Sequence, residues 1–70
     1  MMSVGDVLDI AQLYESIGIQ TRQVTVNNLN TNKIEYNGNL LILKINSNED
    51  VIIDVKDIKA IYGKNRRNKI

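Results

Sequence analysis

The chain has 70 residues, with nine cationic and eight anionic side chains, a formal net charge of +1, and no cysteine, histidine, proline, tryptophan or phenylalanine. That length makes one domain with a small core. Without cysteine there are no disulfides, and without cysteine and histidine the usual structural zinc sites, thiol nucleophile and near-neutral acid–base group are excluded. The apolar fraction of 43% is that of a globular domain rather than a disordered chain. Scaffolds this small usually draw stability from a partner, so self-association (a homo-oligomer) or binding to a larger protein is expected. No apolar run approaches the ~20 residues of a membrane helix. No basic segment precedes an apolar stretch at the N-terminus, so a cytoplasmic location is expected. Asn, Ile and Lys, all with AT-rich codons, are abundant, which fits a phage or mobile element of an AT-rich host.

Along the chain, Ser3 and Asp6 have capping-box spacing. Val7, Leu8, Ile10, Ala11, Leu13, Tyr14 and Ile17 recur at helical spacing, and Gly18 stands where a helix-ending glycine belongs. A helix is expected over residues 5–17. Asp6, Asp9 and Glu15 make its exposed face acidic, which suits the helix dipole in the first turn and offers a docking surface to a basic partner. Residues 19–26, IQTRQVTV, are rich in Thr and Val and only loosely alternating, as in an edge strand with a wet face. Arg22, Val24 and Val26 then lie on an edge open to strand addition by a partner.

NNLNTN reads as a turn-forming loop. KIEY runs into Asn37-Gly38, a strong hairpin signal, which sets Ile34 opposite Leu41 and Tyr36 opposite Asn39. NLLILKI (39–45) is apolar on both faces and reads as a central strand, NSNED (46–50) as a turn, and VIIDV (51–55) as a strand with Val51, Ile53 and Val55 facing one way. IKAIY (58–62) is a fifth short strand or a single helical turn. The fold class is therefore α+β: an N-terminal helix followed by four to five short antiparallel strands, as a small SH3-like or Sm-like barrel or as a helix on a sheet.

The stretch LLILKINSNEDVIIDVKDIKAIY resembles the final three strands of the Sm-like fold of bacterial riboregulators, and the order of a helix before five strands is similar too. The resemblance implies a small bent barrel. It carries no binding residues across: that family's uridine pocket sets a Tyr or Arg beside Lys-His, and this chain has no histidine. The glycine that bends the family's second strand is also missing here.

Catalytic and cofactor motifs are lacking. Ser3, Ser16 and Ser47 lie outside any Gly-x-Ser-x-Gly setting, and the four glycines form no phosphate loop. Asn46, Asn48, Glu49, Asp50, Asp54 and Asp57 lack the spacing and central glycine of a calcium loop. No enzyme activity, cofactor, metal or small-molecule substrate is expected. The Asn-rich stretch has amides that pair with adenine edges, but residues 24–40 hold only Lys33 as a phosphate partner.

Charge divides the chain at residue 63. Residues 1–63 hold five cations and eight anions; residues 64–70 hold Lys64, Arg66, Arg67 and Lys69 and no acidic side chain. The expectation is a domain over 1–63 with a flexible basic tail over 64–70. Tyr14, Tyr36 and Tyr62 are not interleaved with these cations and are expected to be core or half-buried. The leading reading is a small non-enzymatic protein-interaction module, a regulator or inhibitor from a phage or mobile element. The alternative is a nucleic-acid-binding barrel whose tail grips phosphates, and a further one is a structural subunit of a phage particle.

Overall fold

The computed structural model describes residues 2–67. One helix, α1 (Val4–Leu13), precedes six strands: β1 (Tyr14–Thr21), β2 (Thr25–Asn30), β3 (Ile34–Asn37), β4 (Leu40–Asn46), β5 (Glu49–Asp54) and β6 (Ile58–Arg66). Short 3₁₀ turns, Thr31–Lys33 and Val55–Asp57, link β2 to β3 and β5 to β6. The strands form two antiparallel three-stranded sheets, β2–β1–β6 and β3–β4–β5, and neither closes into a barrel. The class is α+β as expected, with six strands in place of four or five.

The capping box forms. The Ser3 hydroxyl accepts from the Asp6 N–H at 3.2 Å, and the Ser3 N–H donates to the Asp6 carboxylate at 2.9 Å. The helix then stops at Leu13 instead of running to residue 17, and Tyr14 is extended at φ −134°, ψ 149°. Tertiary pairing explains the early stop. From Tyr14 onward the chain is the middle strand of its sheet, with β2 on one side and β6 on the other. In that position Ile17 and Ile19 alternate inward and are fully buried, which a helix would deny at least one of them. No glycine caps α1; the Leu13 carbonyl instead accepts from the Arg67 N–H at 2.9 Å.

IQTRQVTV is not one strand. It ends β1, reverses, and begins β2. Thr21 organises the reversal: its N–H donates to the Val24 carbonyl at 2.8 Å, and its buried hydroxyl accepts from the N–H groups of Gln23 and Val24. Such hydroxyl-to-backbone bonds substitute for ladder bonds at turns.

The Asn37-Gly38 hairpin forms, one residue later than expected. Asn37 pairs with Leu40, Tyr36 with Leu41 and Ile34 with Leu43, so Gly38 and Asn39 are the central residues. Gly38 has φ +61° while Asn39 does not share the left-handed region, the pattern of a type II′ turn rather than I′. The partner of Ile34 moves by two residues, so the same faces still meet. β4 is central, but it is buried on one face only: Leu41 and Leu43 point into the core while Leu40 is 41% exposed. Val51, Ile53 and Val55 do face one way, toward the same core.

The inward residues of both sheets make a single cluster of Ile17, Ile19, Leu29, Leu41, Leu43 and Ile53, joined by Val55 of the second 3₁₀ turn and by Val7 of α1. No described helix is long and apolar enough to cross a membrane. At one margin of the cluster, β6 passes over the Tyr14 ring through Gly63. A Cβ at position 63 would overlap three carbons of that ring. We expect Gly63→Ala to lower unfolding free energy in urea by about 1–3 kcal/mol, the usual cost of overpacking, and Gly63→Ala combined with Tyr14→Ala to cost no more than Tyr14→Ala alone.

Candidate nucleic-acid interface

Residues 64–66, expected to begin a flexible tail, are part of β6. Lys64 pairs with Ser16 and Arg66 with Tyr14, in register with Tyr62 opposite Gly18 and Ala60 opposite Gln20. By strand alternation Ala60, Tyr62 and Lys64 face away from the core, as do Ser16, Gly18 and Gln20 on β1; beyond Lys64 the left-handed Asn65 (φ 58°) breaks the alternation, and Arg66 is exposed at the end of the strand. Side-chain contacts agree: the Tyr62 hydroxyl donates to Gln20 Oε1 at 3.3 Å. The sequence reading missed this interleaving of tyrosine with cations because it ended the last strand at residue 62. Tyr62 is 53% exposed rather than core.

β2 completes the face through a bulge. The β1–β2 register shifts between Ile17↔Leu29 and Ile19↔Val26, leaving Asn27 and Asn28 together opposite Gly18. Asn28 takes the left-handed conformation at φ 56°, which asparagine tolerates better than most side chains. The extra residue turns two successive asparagines outward. A Cβ on Gly18 would stand 3.5 Å from Asn27 Oδ1 and 3.7 Å from Tyr62 Cδ2, so the amide and the ring close over the buried Gly18 and lie beside each other on the face. Lys64 Nζ reaches across β1 and donates to Asn28 Oδ1 at 2.8 Å. The cation that the Asn-rich stretch lacked locally is thus supplied from far along the chain.

Arg67 follows β6 and is held at both ends: its N–H by the Leu13 carbonyl, its Nη2 by Thr31 Oγ1 at 2.8 Å. The Thr31 hydroxyl in turn donates to the carbonyls of Tyr14 and Glu15. Three of the four expected phosphate-gripping residues, Lys64, Arg66 and Arg67, therefore lie at one end of this sheet; Lys69 lies outside the described residues.

Charge is divided between the sheets. β1, β2 and β6 carry Lys59, Lys64 and Arg66 against Glu15; β3, β4 and β5 carry Glu35, Glu49, Asp50 and Asp54 against Lys44. Lys44 lies 3.8 Å from Glu35 on the exposed side of the second sheet, a contact worth little in water.

The expected protein-docking residues do not come together. Asp6 is engaged in the capping box, Asp9 is exposed on α1, and Glu15 is on β1, so the three share no helix face. Arg22 is exposed in the turn; Val24 and Val26 are half-buried against the core. β2, from Thr25 onward, is one edge of its sheet and β6 the other; residues 19–26 are not an edge strand. Among the described residues no group of three or more acidic side chains is arranged to hold a metal ion.

The bulge gives a stability prediction. Asn28→Gly should leave the urea midpoint nearly unchanged, whereas Asn28→Val should cost about 1–2 kcal/mol for the left-handed backbone. Comparison of the chain with protein-family models, curated proteins and solved structures finds no match.

Proposed function

We propose that the outward face of β2–β1–β6 binds single-stranded nucleic acid. One observation supports the reading above the others. The outward residues of these three strands include an exposed tyrosine, a lysine and two bulged asparagines, and of the chain's eight carboxylates these strands carry only Glu15. Tyr62 supplies a ring for a base to stack on, and Lys64 and Arg66 neutralise phosphates beside it. Asn27 and Asn28 offer amides to base edges. A single strand fits better than a duplex, because stacking on Tyr62 needs an unstacked base. The chemistry is binding alone, without a reaction.

The test is fluorescence anisotropy with mixed-sequence single-stranded DNA and RNA. With Lys64, Arg66 and Arg67 neutralising about three phosphates, affinity should fall roughly twentyfold between about 50 and about 200 mM salt. Tyr62→Ala should cost about 1–3 kcal/mol of binding, with Tyr62→Phe close to the parent. Absence of binding at low salt, or unchanged affinity in a folded Tyr62→Ala variant, would sink the proposal.

A second reading, self-association, is favoured by the outward face of β3–β4–β5. Ile52 is 61% exposed there, directly opposite Ile42, and Leu40 extends the apolar row. A second copy is the occupant. A two-fold axis across the strands through the Ile42–Ile52 row sets that row against its copy and covers it. Sedimentation should give a dimer that Ile52→Lys converts to a folded monomer; a parent chain that is monomeric at ~100 μM, where even weak dimers populate, overturns it.

A further inference from the structure

The strand proposed for the sheet face has a direction in which to continue. Where β2 and β6 leave the sheet, the next residues of each, Thr31 and Arg67, line a cleft of about 400 Å³ with Leu8, Ala11, Gln12 and Asn32. It is a shallow depression open to solvent, so an occupant would be held on one side only. Leu8, Ala11 and Gln12 are spaced three and four apart on α1 and so share one side of the helix. They give an apolar wall ending in an amide. Asn32 brings a second amide from the facing turn. The Arg67 guanidinium also lines the cleft and gives one of its five N–H groups to Thr31 Oγ1.

The other clefts differ in charge. A larger one, about 460 Å³, is lined by Glu49 and Asp50 of the β4–β5 turn together with Lys33 and Lys44, and one beside α1's start is lined by Asp54 together with Lys56. In both, each cation is offset by a carboxylate. The groove between β2 and β5 is lined by Glu49 and carries no cation. The Arg67 cleft combines an apolar wall, two amides and a cation with no carboxylate. These are the groups that a nucleotide needs: a wall for the base face, amides for its edge, a guanidinium for its phosphate.

We infer that this cleft is a second base-binding subsite, which takes a nucleotide from the same strand after it leaves Tyr62. The inference rests on the sheet face binding single-stranded nucleic acid and assigns the extent of that site: from Gly18, past Lys64 and Arg66, to the gap between α1 and Thr31–Lys33. Arg67 is then more than a cap for α1. Its backbone N–H closes the helix end, a task almost any residue performs, while its side chain serves the ligand.

The experiment uses the full chain and oligothymidylates of about four and about ten nucleotides, bracketing short and full occupancy of a site this size. Affinity is read by anisotropy and location by backbone amide shifts. The shorter oligomer should move Gly18, Tyr62 and Lys64. The longer should also move Ala11, Gln12 and Asn32, and bind about tenfold tighter. Asn32→Ala should remove most of that gain and leave the shorter oligomer's affinity within about twofold, with Ala11→Glu as a second variant that blocks the cleft without touching the sheet. If both oligomers shift only the sheet residues, with no gain from length, the subsite is refuted and the sheet reading stands. If neither binds, the sheet reading fails and the subsite with it.

Discussion

Burial of Ile17 and Ile19 on the middle strand is the constraint from which most of the molecule follows. In a chain with so small a core, two fully buried isoleucines are a large share of the apolar area removed from water; truncating either to alanine typically costs about 2–5 kcal/mol. Keeping both inward requires an extended chain from Tyr14, and so α1 must end at Leu13. A middle strand also needs two neighbours to satisfy its N–H and C=O groups. β2 provides one by folding back at Thr21, and the C-terminal basic segment provides the other. The same alternation that buries Ile17 and Ile19 turns Ser16, Gly18 and Gln20 outward. The floor of the candidate interface is thus a by-product of the core.

The bulge at Asn27 and Asn28 adds what regular pairing would not. In an unbroken ladder, one of these side chains would face the core and meet Leu29's neighbours without a polar partner. The inserted residue avoids that cost and sets both amides on the water side, next to a lysine more than thirty positions away in sequence. Gly63 makes a comparable accommodation on the other flank, where the absence of a side chain lets β6 lie over the Tyr14 ring.

Features held by local physics were legible in the sequence. The Ser3–Asp6 cap, the turn around Gly38, and β4 and β5 each depend on residues within a few positions of one another. The failures are those that only long-range pairing decides. Val7 through Ile17 satisfies a helical period, yet Tyr14–Ile19 also satisfies a strand's, and only the presence of β2 and β6 selects between them. The basic segment reads as a tail because its charges do not resemble a strand, but one flank of a strand can be wholly solvated. Tyr62 and Lys64 are alternate residues, a period of two that continued past the last residue assigned to a strand. The candidate face was invisible for the same reason: its residues come from three strands and meet only after the sheet assembles.

The division of charge between the two sheets makes the molecule an electric dipole. A polyanion would feel attraction toward one broad side and repulsion from the other before any atom touched. Rotational capture of this kind acts on the approach and weakens as salt shortens the range of the field, whereas contacts such as stacking on a ring act on the departure. On the proposed function, arrival and residence would thereby be governed by different parts of the same small structure. A polyanion lying along the cationic side would also meet only one layer of protein, because the carboxylates on the opposite side would discourage a second strand from bridging across it.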